Sequence, residues 1–118
     1  MLVKTWIAFV ALAGCGSKEA TDKLQDSKRD IAKIMTRKLV VEAYPSWSIA
    51  HLDKACPDKI DELAEYLGDK SLLVDPWGHP YRFYCGASAP PDARGAGAMS
   101  LGPDGQEGTA DDIKSWAP

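Results

Sequence analysis

Apolar positions along the chain first follow a helical period and then an alternating one. From about Thr21, apolar residues recur at Leu24, Ile31, Ile34, Met35, Leu39 and Val41 with polar residues between them, which predicts one amphipathic helix. The helix is expected to run to Tyr44, because Pro45 disfavours the helical conformation in the residue before it. The intervening Lys28, Arg29, Lys33 and Arg37 read as a solvated face. Residues 46–55 hold Trp47, Ile49 and Leu52 with no proline or glycine and are ambiguous, compatible with a short further helical piece. Residues 57–67 read as a helix: Pro57 suits a first helical position, Ile60, Leu63, Ala64 and Leu67 form one stripe, and Gly68 suits the left-handed terminating position.

After Gly68 the period shortens. Leu72 to Val74 reads as a short strand, Asp75-Pro76-Trp77-Gly78 as a turn, and Tyr81 to Cys85 as a strand with alternating faces. Ala87 to Gly95 is rich in proline, glycine and alanine and reads as a loop, followed by a strand over Ala96 to Leu101. Gly102 to Asp112 is a polar, glycine-bearing loop, and Ile113 to Trp116 is expected to return as a short strand that buries Ile113 and Trp116. The expected fold class is α+β, with an N-terminal amphipathic helix and a second short helix packed on a small antiparallel sheet.

Composition narrows the functional range. A chain of 118 residues holds one domain with a core, and 45% hydrophobic with 26% charged residues is ordinary for a globular fold. The net charge of -3 is dispersed, and the basic residues of 18–38 alternate with Glu19, Asp22, Asp26 and Asp30, so no nucleic-acid footprint is present.

The first fourteen residues stand apart: Lys4 precedes the apolar run from Thr5 to Gly14, which reads as a signal peptide and is well short of the ~20 residues of a membrane-spanning helix. Its end, Leu12-Ala13-Gly14-Cys15, resembles the lipobox of bacterial lipoproteins. That resemblance implies removal of residues 1–14 and acylation of Cys15, with 15–20 as lipidated cysteine and tether and 21–118 as the globular domain. Two or more acyl chains, at about 0.8 kcal/mol per buried methylene, would hold the protein on a bacterial membrane, facing the periplasm or the surface. Gly16, where the resemblance would place aspartate in an inner-membrane protein, points toward the outer membrane.

Setting Cys15 aside leaves Cys56 and Cys85 in an oxidising compartment, where an even pair is normally bonded. A Cys56–Cys85 disulfide is expected. The alternatives, a metal pair or a redox site, fit less well: there is no C-x-x-C and no histidine at zinc-finger spacing.

Three segments in order, Asp75-Pro76-Trp77-Gly78, Ser100-Leu101-Gly102-Pro103-Asp104-Gly105-Gln106 and Ala110-Asp111-Asp112-Ile113-Lys114-Ser115-Trp116, resemble the C-terminal domain of type II secretion pseudopilin G. The resemblance implies a calcium-binding last loop, with Leu101 and Gln106 contributing backbone carbonyls, Asp104 and Asp111 carboxylates, and Asp112 a further ligand. Calcium chemistry agrees, since the ion takes six to eight hard oxygens in flexible geometry. The spacing is not that of an EF-hand, because Gly105 and Gln106 follow Asp104. Family members open on a basic leader and a long apolar helix that packs the filament, whereas the segment after Cys15 is polar, so the globular domain is what the resemblance carries over.

Enzyme signatures are absent: there is no G-x-S-x-G, no P-loop and no H-E-x-x-H, and His51 and His79 are assigned no role. Two functional expectations follow. The first is a non-enzymatic structural or accessory part of a secretion or pilus-like machine, with pseudopilins or other secretion proteins as partners. The second is a free-standing surface or periplasmic binding module that reuses the scaffold.

Overall fold

The computed structural model describes residues 17–118; the expected signal peptide at 1–14 and the lipidation residue Cys15 lie outside the described residues. Helix α1 spans Ser17–Lys38, starting inside the segment read as a tether. The helical path does not stop at Tyr44. A π-helical turn, Leu39–Ala43, carries the chain directly into α2, Tyr44–Ala50. A proline inside a regular helix clashes with the carbonyl four residues back and lacks the N–H for the ladder. Here the Tyr44 N–H reaches five residues back to the Leu39 carbonyl, widening the turn just before Pro45, and Pro45 falls in the first turn of α2, where its missing N–H is tolerated.

The apolar positions read as one helical face divide into two. Ala32, Met35, Thr36, Leu39, Ala43 and Trp47 are buried in the core, whereas Leu24, Ile31, Ile34 and Val41 stay exposed. Trp47, fully buried, donates from Nε1 to Glu62 Oε1 at 3.3 Å and stacks on His51.

The helix expected over 57–67 is shorter and tighter, a 3₁₀ helix over Ile60–Tyr66. Pro57 lies outside it. The Glu62 carboxylate accepts the backbone N–H groups of Asp58 at 2.6 Å and Lys59 at 3.1 Å, and Lys59 is extended, so the helix starts only after that cap. At three residues per turn, Ile60, Leu63 and Tyr66 align in one row against the core. Gly68, at φ +88°, closes the element as expected. The strand expected at 72–74 is replaced by a 3₁₀ turn over Lys70–Leu73, capped by Asp69, whose side chain accepts the Ser71 N–H at 2.9 Å. Only Val74 pairs, in a single bridge with Pro80.

The sheet is antiparallel in the order β1 (Arg82–Cys85), β2 (Ala96–Ser100), β3 (Ile113–Lys114). Arg82 pairs with Met99, Cys85 with Ala96, and Ser100 with Ile113. The central strand β2 is buried along its whole length. Its small residues permit that: α1 packs on the sheet, and Trp116 lies so close over Gly97 that a Cβ there would sit 2.7 Å from the indole. Ile113 is buried as expected, while Trp116 is half-buried against Tyr84. Cys56 and Cys85 form the expected disulfide, tying the segment before the 3₁₀ helix to the end of β1. No helix among the described residues is long and apolar enough to cross a membrane.

Candidate metal-binding loop

The loop from Leu101 to Asp112 joins β2 to β3, and its base is held by a buried carboxylate. Asp75 is 4% exposed; its Oδ1 accepts the backbone N–H groups of Trp77 at 3.0 Å and His79 at 2.8 Å, which bends the Asp75–Gly78 segment into the expected turn. Its Oδ2 accepts the Ser100 hydroxyl at 2.8 Å, and Ser100 Oγ accepts the Gly102 N–H at 3.2 Å. Trp77 Nε1 donates to Gln25 Oε1 at 2.7 Å, locking the same turn to α1. One relay therefore fixes where the loop leaves the sheet.

Two glycines let the loop fold back. Gly102, at φ +73°, meets the returning backbone so closely that a Cβ would lie 2.3 Å from the Asp111 carbonyl oxygen. Gly105, at φ +65°, lies against the His79 ring, where a Cβ would be 2.6 Å from Nε2. Both positions need positive φ and an absent side chain.

The expected ligands fall at different points of this frame. Leu101 is buried at the end of β2, and the Gln106 carbonyl accepts the Thr109 hydroxyl at 3.3 Å. Asp104 is exposed, and its Oδ1 accepts the Gln106 N–H at 3.1 Å. That bond first, then the Thr109 hydroxyl, holds the Asp104 carboxyl below the usual carboxylate range. Asp111 Oδ1 lies 3.9 Å from the Arg29 guanidinium. Asp112 Oδ2 accepts the Gly108 N–H at 2.7 Å, while its Oδ1 is buried without a hydrogen-bond partner. Among the described residues, no three His, Cys, Asp or Glu side chains gather as a metal cluster. The fold does bring the Leu101 end of the loop against Asp111.

By donor type alone, these residues suit a hard cation. They offer only oxygen, and a buried carboxylate oxygen with no donor is the kind of atom a cation satisfies. A model of the family described as type II secretion system (T2SS), protein G, matches residues 15–116, taking in α1, the sheet and the loop. The chain belongs to that protein G family. Among curated proteins and among solved structures, none matches it.

Three residues that shape this protein G loop were not legible as such. Ser100 reads as an ordinary strand residue, yet it is fully buried and carries the relay. His79 was assigned no role, but its ring walls the loop at Gly105 and its buried Nδ1 lies 3.9 Å from Asp75 Oδ1. Arg29, read as solvated surface, reaches Asp111. The available signals were the turn at Asp75–Gly78, next to His79, and the place of Ser100 at the head of the second family-like segment.

Proposed function

We propose that the protein is a lipid-anchored, non-catalytic pseudopilin G-like component of a type II secretion or related pilus-like machine. Its last loop binds a calcium ion, and its domain docks on other secretion proteins. The observation that carries this is the protein G match over residues 15–116, in a family that is structural rather than catalytic. Acylated Cys15 supplies the membrane attachment, on the periplasmic or surface face of a bacterial membrane.

The Asp104 and Asp111 carboxylates and the Leu101 and Gln106 carbonyls hold the ion, with Asp112 as a further ligand. Support comes from the all-oxygen donors, from the unpartnered Asp112 Oδ1 and from the close approach of Gly102 to Asp111. A bound calcium supplies positive charge that offsets three neighbouring acids and stiffens the loop.

The test is thermal unfolding of residues 17–118, disulfide intact, in excess calcium and in chelator, alongside Asp104→Ala and Asp111→Ala. At 100 times its dissociation constant an ion that binds only the folded state adds about 2.7 kcal/mol, several degrees for a domain of this size. A calcium-dependent rise lost in both variants supports the site; no rise in the unaltered domain refutes it. Membrane attachment is read separately, from whether Cys15→Ser releases the full-length protein from the membrane fraction. Crosslinked recovery of pseudopilins supports the machine component, and their absence turns the reading to a free-standing binding module.

A further inference from the structure

Lys33 and Arg37 are cations one turn apart on α1, and neither meets an anion. Both side chains are exposed, and neither enters an ion pair or hydrogen bond among the described residues. Like charges at this spacing repel along a helix, so the pair works against α1. Elsewhere on the chain the same spacing is used for attraction: Lys38 lies 3.9 Å from Glu42, and Lys54 2.8 Å from Asp58. The backbone that carries the two cations is fixed to the domain. Thr36, between them, is 1% exposed and donates its hydroxyl to the Lys33 carbonyl at 3.0 Å, and α1 packs on β3.

The two cations form one wall of a groove of about 380 Å³, whose other wall is Asp112, Ile113, Lys114 and the segment 117–118. Lys114 serves this groove with its backbone, since its side chain lies toward Trp116, 6.0 Å from the ring centroid. The Ser115 N–H donates inward to the Ala98 carbonyl at 2.9 Å, so by alternation the Lys114 N–H points out of the sheet edge, where it has no acceptor among the described residues. The Lys114 carbonyl on the same edge already accepts the Ala117 N–H at 3.2 Å. Asp112 is the one acidic side chain of the lining; its Oδ2 is taken by the Gly108 N–H at 2.7 Å and its Oδ1 is buried. What the groove turns to solvent is an ammonium, a guanidinium and an open amide N–H, all of them donors. We propose that it is a docking site for an acidic segment of a partner protein, with two carboxylates about 6–7 Å apart, as on successive turns of a helix or alternate positions of a strand. One carboxylate meets the Arg37 fork, the other meets Lys33, and a main-chain carbonyl of the segment accepts the Lys114 N–H. A lipid headgroup suits the groove less, because Lys33 and Arg37 stand about 24 and 30 Å along α1 from Ser17, next to the expected acylation site. The inference rests on the proposed docking role only for the source of the segment, and crosslinked recovery of pseudopilins tests that role separately.

The test is titration of residues 17–118, a span that contains the whole core and the disulfide, with hexaglutamate in chelator, followed by backbone amide NMR shifts. Saturable shifts are expected at Lys33, Arg37, Ile113 and Lys114, with affinity falling at least about threefold between about 20 mM and about 200 mM salt. Lys33→Glu with Arg37→Glu is expected to weaken binding about tenfold, whereas Lys18→Glu with Lys23→Glu, the same change of net charge earlier on α1, should keep it within about twofold. Lys33→Glu alone should bind more weakly yet unfold at no lower temperature than the parent, since a glutamate one turn before Arg37 replaces repulsion by attraction. That combination separates a binding role from a structural one. Absence of a saturable shift at the lower salt overturns the proposal, as do shifts spread evenly over the basic residues of α1 or binding indifferent to the Lys33→Glu, Arg37→Glu double variant. Binding to phosphatidylglycerol vesicles that needs Lys33 and Arg37, by a protein that ignores hexaglutamate, assigns the groove to lipid instead. Dimerisation in sedimentation at about 1 mM that needs Lys33 and Arg37 assigns it to a second copy and likewise overturns the proposal.

Discussion

Removing the Asp75 carboxylate should cost this domain a large share of its stability, although no catalytic role depends on it. Asp75→Ala leaves the Trp77 and His79 N–H groups and the Ser100 hydroxyl without their acceptor, in a pocket that water barely reaches. Hydrogen bonds to a charged group are each worth about 1.5–3 kcal/mol, and three sharing one acceptor add less than their sum, so the loss should be about 4 kcal/mol. In a domain of this size that is a fall of about 20 °C in Tm. Asp75→Asn separates charge from geometry. Its carbonyl can still accept from Trp77 and His79, while its amide is a donor where Oδ2 was the acceptor of the Ser100 hydroxyl, so that one bond and the charge are lost and the cost should be about half. Ser100→Ala should cost about 1–2 kcal/mol, and much less in the Asp75→Ala background, because the two belong to one relay. Urea denaturation of oxidised 17–118 reads the parent and all four variants. If Asp75→Ala unfolds within 1 kcal/mol of the parent, or its effect adds fully to that of Ser100→Ala, the relay is not what anchors the loop.

Gly102→Ala places a Cβ 2.3 Å from the Asp111 carbonyl at φ +73° and should cost at least about 2 kcal/mol and weaken calcium binding, whereas Gly108→Ala, at φ +86° with open space, should cost about 1 kcal/mol; denaturant midpoints and calcium titration compare them. Reducing Cys56–Cys85, with a sequence separation of 29, should lower stability by about 3–4 kcal/mol in the chain-entropy model, and Cys56→Ala with Cys85→Ala should match the reduced protein in the same assay. The Lys59 and Asp58 N–H groups hold Glu62 below the usual carboxylate range, so its stabilisation is complete above the unfolded glutamate value and is lost as pH falls through the lower folded one. The gap in denaturation midpoint between the parent and Glu62→Gln should therefore be open at neutral pH and close as pH falls through the lowered folded value; a gap that persists in acid would contradict the cap.

Much of the order of elements is written locally. Alternation at Tyr81 to Cys85, the glycine and proline punctuation of 86–95 and the proline-led turn at Asp75 each depend on a few neighbouring residues, and each appears where the pattern places it. The disulfide was legible because only two cysteines remained once Cys15 was set aside. The family resemblance was legible, as the match to protein G bears out, but the anchoring of the last loop was not. Asp75 and Ser100 are 25 positions apart, and nothing in either segment announces that the sheet will bring them to 2.8 Å.

What the sequence by itself determined was an α+β domain with one amphipathic helix before a small antiparallel sheet, because periodicity, turn residues and cysteine count are properties of short stretches. What only the tertiary structure decided were choices between local states of similar free energy. The core contacts of Ala43 and Trp47 carry the helix past Pro45 through a π turn, and the Glu62 and Asp69 caps select 3₁₀ turns where an α-helix and a strand were expected. Packing also chose which of two apolar stripes on α1 faces inward. A helical period marks both stripes alike, and only packing, by covering Ala32 and Met35, leaves Leu24, Ile31 and Ile34 in solvent.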